Sequence, residues 1–170
     1  MTERNKVVSI GVGTIVKTME KKMIHDNTFK QCYFNGVKGL IFFGDKILVY
    51  RRDANTEIYP LCIDLPGGGR EGEETPFETF KRETNEEFGF VIRKEDVVFS
   101  CTILSTVEPG KKSYFIVTKS LLITGDDIVF GDEGVEWMLM TPTEFVHRTD
   151  GIERQQKRVA EYVSGKLKSQ

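Results

Sequence analysis

Between Glu71 and Glu87 the chain sets seven glutamates, Glu71, Glu73, Glu74, Glu78, Glu83, Glu86 and Glu87, within seventeen positions, directly behind Gly67-Gly68-Gly69. Carboxylates at this density repel one another. Water around an acidic helix face relieves the repulsion, and so does a cation held among the carboxylates. Glu83, Glu86 and Glu87 are spaced i, i+3, i+4 and fall on one arc of a helix. Glu86 and Glu87 then occupy a last helical turn, where the backbone dipole disfavours negative charge, and Arg82 offsets only part of it. The three glycines let bare backbone come close to a ligand. Hard divalent cations such as Mg²⁺ take one or two carboxylates together with water and substrate phosphate oxygens. A glutamate cluster beside loop carbonyls meets that demand better than a solvated face does.

The helix that must carry these groups is well marked. Thr75 is an N-cap, Pro76 suits the first helical position, and Glu78 completes a capping box. Gly89 supplies the stop, so the spacing predicts a helix over 76–88. At about 100° per residue, Phe77, Phe80, Thr84 and Phe88 form a narrow stripe that faces the core, and the glutamate arc lies beside it. "VKGLIFF" and "KILVYRR" flank Gly44-Asp45 and read as a β-hairpin with a tight turn. "VVFSCTILSTV" and "SYFIVTKSLLI", joined through Pro109-Gly110, and the short "VEWMLM" read as further strands. "VVSIGVGTIV" reads as a strand near the N-terminus, where Gly11-Val12-Gly13 lacks the third glycine of a dinucleotide-binding turn. Thr141-Pro142-Thr143-Glu144 opens a short helix. A last helix is predicted over about 152–167, with Ile152, Val159, Val163 and Leu167 along one side. Strands with a few interspersed helices imply a helix-covered sheet, α/β or α+β.

The 170 residues suit a single domain over 1–170, with residues 1–33 an extension whose packing is not assignable. Whether that extension pairs within the subunit or across a homodimer is left open. The chain is 39% hydrophobic and 29% charged, with a net charge of −2, so nothing global draws it to nucleic acid or membrane. Cys32, Cys62 and Cys101 have no metal-ligand spacing and read as free thiols, and a cytoplasmic location is expected. Neither a membrane-spanning run nor a signal-peptide apolar region is present in the sequence.

Gly68, Glu74, Arg82, Glu83, Glu86, Glu87, Gly89 and Phe90 together resemble the Nudix box, G-x5-E-x7-R-E-U-x-E-E-x-G-U with U apolar, over residues 68–90. The one departure is Thr84 at a U position. "DLPGG" before the box is also typical of the superfamily. The resemblance implies a Nudix fold, an α/β/α sandwich with a mixed central sheet, and hydrolysis of a nucleoside diphosphate linked to another moiety. It implies Glu86 and Glu87 as main ligands of Mg²⁺, with Mn²⁺ a substitute. Glu83 would be a further ligand or a base, and a carbonyl of Gly67 or Gly68 would complete the metal's inner shell. Glu74 and Arg82 would pair to hold loop against helix. Related enzymes also bring a downstream carboxylate to the metals. "FGDEGVEW" offers Asp132, Glu133 and Glu136, and the glycine-flanked Glu133 is the first choice as base.

The box does not encode the substrate. Pro109 stands too far beyond it for the ADP-ribose pattern, and Tyr114 too far for the dinucleoside polyphosphate pattern. The segment from "FGDEGVEWMLM" onward resembles MutT-like proteins, which implies a nucleoside triphosphate, oxidised or not, cleaved to monophosphate and pyrophosphate. An ADP-ribose or nucleotide-sugar pyrophosphatase is the alternative. A non-catalytic nucleotide sensor, expected with an eroded box and a second domain, and an isoprenoid isomerase, expected with histidine and cysteine motifs, fit less well. Arg51 and Arg52 end the strand before the box and are read either as solvated or as contacts to substrate phosphate. Trp137 is expected in the core.

Overall fold

The computed structural model describes residues 33–105, 108, 110–119 and 124–169. The expected N-terminal strand and Cys32 lie outside them. The predicted hairpin forms from β1 (Phe34–Phe43) and β2 (Lys46–Arg52), with Phe43 opposite Lys46 across Gly44-Asp45. β3 (Ile63–Asp64) follows, then α1 (Pro76–Phe88), β4 (Val97–Leu104), β5 (Lys112–Lys119), β6 (Gly134–Met140), α2 (Pro142–Val146) and α3 (Glu153–Val163). β1 pairs in parallel with β5, β5 antiparallel with β4, and β2 antiparallel with β6. The sheet is therefore mixed, and the architecture is the expected α+β sandwich with helices on both faces.

β1 and β2 separate beyond the turn, and the chain around β3 fills the opening. On one side Tyr50 and Arg51 of β2 stand opposite Asp64 and Ile63. On the other side, the Gly39 and Val37 N–H groups donate to Pro66 and Gly68 carbonyls at 3.0 and 2.9 Å, and Arg70 N–H donates to Asn35 at 3.2 Å. Backbone bonds and an isolated Gly36–Gly69 bridge thus hold the glycine segment along β1, from where it reaches the Glu83 and Glu87 side chains of α1.

Two apolar layers cover the sheet. Phe80 and Phe88 of α1 pack with Val37, Ile41, Leu48 and Ile116 on one face. Phe145 of α2 and Val159 of α3 pack with Leu40, Val49, Leu65 and Phe115 on the other. Fully buried phenylalanines of this kind contribute about 1.5–3 kcal/mol each. They fix the rotation of α1 and with it the direction of its glutamates. Thr84, the departure in the box, is buried and donates its hydroxyl to the Phe80 carbonyl at 2.7 Å, so the apolar stripe tolerates it. Trp137 is half-buried against the first layer, as expected.

The last helix is shorter than predicted. It ends at Val163 because Gly165 takes a left-handed conformation (φ 69°) and its N–H donates to the Tyr162 carbonyl. Val163 is 59% exposed, while Tyr162 and Leu167 pack on the second layer. Tyr162, one turn after Val159, takes the inward place that the pattern gives to Val163.

Candidate active site

α1 begins with the predicted capping box. Thr75 Oγ1 accepts from Glu78 N–H at 3.3 Å, and Glu78 accepts from Thr75 N–H at 2.8 Å. It ends at Gly89, whose N–H donates to the Asn85 carbonyl. With both ends and the phenylalanine stripe held, Glu83 and Glu87 turn inward and are only 8% and 2% exposed. Burying a carboxylate costs several kcal/mol, so the reading of these two as a solvated face is overturned.

Glu87 accepts a hydrogen bond from Gly67 N–H at 2.9 Å. Burial pushes its carboxyl up to about 8, against the pull of Lys38 and that hydrogen bond, with Glu83 and Asp64 adding to the rise. The Glu83 carboxyl is also raised by burial, partly offset by Arg82. Gly68 passes so close that a Cβ there would lie 2.4 Å from Glu83 Oε2. The carbonyls of Pro66 and Gly68 are committed to β1, which leaves Gly67 the better placed of the two loop carbonyls for a ligand.

The third carboxylate arrives from a distant stretch of chain. Val129 N–H donates to the Phe88 carbonyl at 3.0 Å, and Gly131 N–H to the Glu87 carbonyl at 2.9 Å. These bonds satisfy carbonyls at the end of α1 that no helical partner reaches, and they stitch the loop before β6 onto the helix. Oxygens of Glu83, Glu87 and Glu133 then lie within 4.8 Å of one another. Asp132 is not part of this group, and Glu136 turns to Arg51 at 2.8 Å.

Glu86 lines the same cleft, a space of about 320 Å³, but from its rim. Its side chain is half exposed and accepts from Arg82 Nη1 at 2.8 Å. Arg82 also donates to Glu74 at 2.8 Å, to Glu83 at 3.0 Å and to the Gly69 carbonyl at 2.7 Å. The expected Glu74–Arg82 pair is therefore present, and Glu74 further accepts from Glu71 N–H and the Thr79 hydroxyl. Arg82 Nε beside Glu74 holds that carboxyl down at about 2.

Arg51 and Arg52 separate, because neighbours on a strand face opposite ways. Arg52 lines the cleft and reaches Asp64 at 3.3 Å. Arg51 does not line it; it donates to Glu136, to Asp150 at 3.1 Å and to the Leu61 carbonyl at 2.9 Å. Of the two expected phosphate contacts, Arg52 faces the cleft and Arg51 is held in the ion pairs beside it.

Sequence reasoning missed Lys38, Tyr50 and Asp64. Lys38 Nζ sits 3.0 Å from Asp64, donates to the Leu65 carbonyl at 2.9 Å and lies over the Tyr50 ring. Burial opposes its charge, but Asp64, Tyr50 and Glu87 more than compensate and its ammonium is held above the ordinary range. The available signal was a lysine inside the apolar run "VKGLIFF" and an aspartate heading "DLPGG".

Three convergent carboxylates, two of them buried, with a close glycine backbone, make an oxygen donor set that suits a hard divalent cation. A NUDIX domain family model matches residues 34–162. The chain belongs to the NUDIX family. As a NUDIX hydrolase it acts on phosphoanhydride bonds. A search of curated protein sequences finds no match. Among solved structures, a MutT protein from Methanosarcina mazei Go1 is similar with a TM-score of 0.63 and 21% identity, over 81% of this chain and 99% of that one. A bifunctional NMN adenylyltransferase/ADP ribose pyrophosphatase from Francisella tularensis matches with a TM-score of 0.60 and 17% identity, over 80% of this chain and 42% of that one. A C. elegans Ap4A hydrolase matches with a TM-score of 0.55 and 18% identity, over 76% and 98%. At these identities the likeness is one of fold.

Proposed function

We propose that this NUDIX hydrolase cleaves a nucleoside triphosphate to the monophosphate and pyrophosphate with the help of Mg²⁺, or of Mn²⁺ in its place. The observation that carries the site assignment is the convergence of Glu83, Glu87 and Glu133 beside the glycine segment. Glu87, Glu83 and the Gly67 carbonyl would hold the metal, and Glu86 can join them by leaving Arg82. Bound metal ions neutralise pyrophosphate charge and make bound water more acidic.

The chain's own groups do the remaining work. Glu133, the exposed acid of the three, accepts the proton of the attacking water. Arg52 and Lys38, both lining the cleft, supply fixed positive charge toward the phosphates. Arg82 holds the glycine segment, Glu74 and α1 together so that the carboxylates keep their spacing. The choice of a triphosphate rests on the MutT-like stretch from Phe130 onward and on the fold likeness to a MutT protein across nearly its whole length.

The test is a panel of nucleoside triphosphates, ADP-ribose and nucleotide sugars, assayed for released phosphate and pyrophosphate. Triphosphates should give pyrophosphate in the presence of Mg²⁺ and nothing in chelator. Undiminished turnover in chelator would overturn the metal-dependent site. Much faster turnover of ADP-ribose or a nucleotide sugar would overturn the substrate assignment alone.

A further inference from the structure

A second cavity, of about 260 Å³, lies beside the carboxylate cleft and shares Lys38, Gly68 and Gly69 with it. Polar side chains stand around the rest of it: Asn35 of β1, Ser113 of β5 and Ser105 just past β4, and Arg154, Gln155 and Arg158 from α3. Asn35 donates to Ser105 Oγ and accepts from the Ser113 hydroxyl, each at 2.7 Å, so these groups form one fixed network. Arg154 and Arg158 stand one helical turn apart and face the same space. The Arg154 guanidinium lies over the Tyr59 ring, and Arg158 donates to the neutral Gln155 side chain at 2.8 Å. Glu108 at the cavity wall is engaged by Lys111.

A nucleoside base is the wrong occupant for this space. Bases are held by stacking on aromatic rings, and the described lining contains no ring and, in Val37, one apolar side chain. Two guanidiniums with hydroxyl and amide groups match a phosphate instead, whose oxygens accept paired N–H bonds from arginine. Burial and the like charge of Arg154 hold the Arg158 guanidinium down to about 10. An anion between the two would relieve the strain of placing like charges on one half-buried helix face.

We propose that this cavity holds the terminal phosphate of the triphosphate, gripped by Arg154 and Arg158, while the carboxylate cleft holds the phosphates that react. The pair then sets the preference for a nucleoside triphosphate over a diphosphate, a specificity role that rests on the triphosphate reading above.

Calorimetric titration of inorganic tripolyphosphate in chelator isolates this site, because the metal-free carboxylate cluster repels the ligand. Wild-type protein should bind it, and Arg158→Gln should weaken binding by about tenfold or more, the scale of one hydrogen bond to a charged group. Arg158→Lys should retain part of the affinity, and Arg154→Gln should repeat the loss, with circular dichroism checking the fold of each. With Mg²⁺, the ratio of kcat/KM for a nucleoside triphosphate to that for its diphosphate should fall by a similar factor. Unaltered tripolyphosphate binding in both glutamine variants would overturn the proposal. Arginine-dependent binding without hydrolysis of any nucleotide would support the anion site and defeat the proposed reaction.

Discussion

Glu87 and Glu133 belong to one cluster, yet their burial assigns them different consequences. Glu87→Gln removes a buried charge while keeping an acceptor for Gly67 N–H. Turnover should fall by roughly 10²-fold or more, the scale of losing one electrostatic stabiliser. The Glu87 carboxyl rises from an ordinary value of 4.5 to about 8 on folding. A raised folded value means the folded protein binds the proton more tightly, so this group costs stability as pH climbs from about 4.5 through 8. Metal-free Glu87→Gln should therefore melt above wild type at pH 8, and the gap should close toward pH 4.5. Glu133→Gln should lose activity on the scale of a general base, roughly 10²–10⁴-fold, flatten the acid limb of the pH–rate profile and leave the metal-free melt in place. Wild-type turnover in both variants would show that the cluster takes no part in catalysis.

At the scale of elements, the site exists because a loop is pinned to the end of α1. Gly131 has no room for a side chain, since a Cβ would stand 2.6 Å from the Glu86 carbonyl. Gly131→Ala should push the loop off the helix end, break the Gly131–Glu87 backbone bond and carry Glu133 out of reach. A displacement of about 1 Å can cost 10²-fold in rate, so activity should fall by up to that factor. The stability cost should stay within about 0.5–3 kcal/mol, as for most substitutions. Steady-state kinetics beside thermal melts checks this; a variant as active as wild type would detach the loop from catalysis.

Across the whole molecule, two ion-pair clamps hold the fold, one between neighbouring segments and one between segments far apart in sequence. Arg82 and Glu74 tie the loop after β3 to α1. Asp150, between α2 and α3, receives Arg51 of β2 at 3.1 Å and Arg148 at 2.7 Å. Arginine beside each carboxyl lowers Glu74 and Asp150 to about 2, from ordinary values of 4.5 and 3.8. A depressed folded value contributes stability that is complete above the ordinary value and lost as pH falls toward 2. Denaturant unfolding between pH 5 and pH 2 should show that loss, and Glu74→Gln should make the slope shallower. An identical slope in the variant would mean the Glu74–Arg82 pair persists in the unfolded chain or does not hold the fold.

Local chemistry was legible in the sequence wherever the cause is local. The helix over 76–88, with its cap, proline and glycine stop, depends on residues a few positions apart, and so does the hairpin at Gly44-Asp45. The glutamate arc and the Glu74–Arg82 pair followed from one helix and the loop before it. Period 3.6 alone could not say which arc is buried. Tertiary packing of Phe80 and Phe88 drew Glu83 and Glu87 inward and left Glu86 at the rim with Arg82. It sent Arg51 to Asp150, and it brought Lys38 to Asp64 through the opening between β1 and β2. Glu133 was nominated by resemblance and a glycine-flanked loop; its approach to Glu83 depends on backbone bonds to a helix end more than forty residues earlier in the chain. Neighbouring residues carry information about local backbone conformation, whereas the meeting of distant side chains is decided by how whole elements pack, and no short stretch of sequence records that.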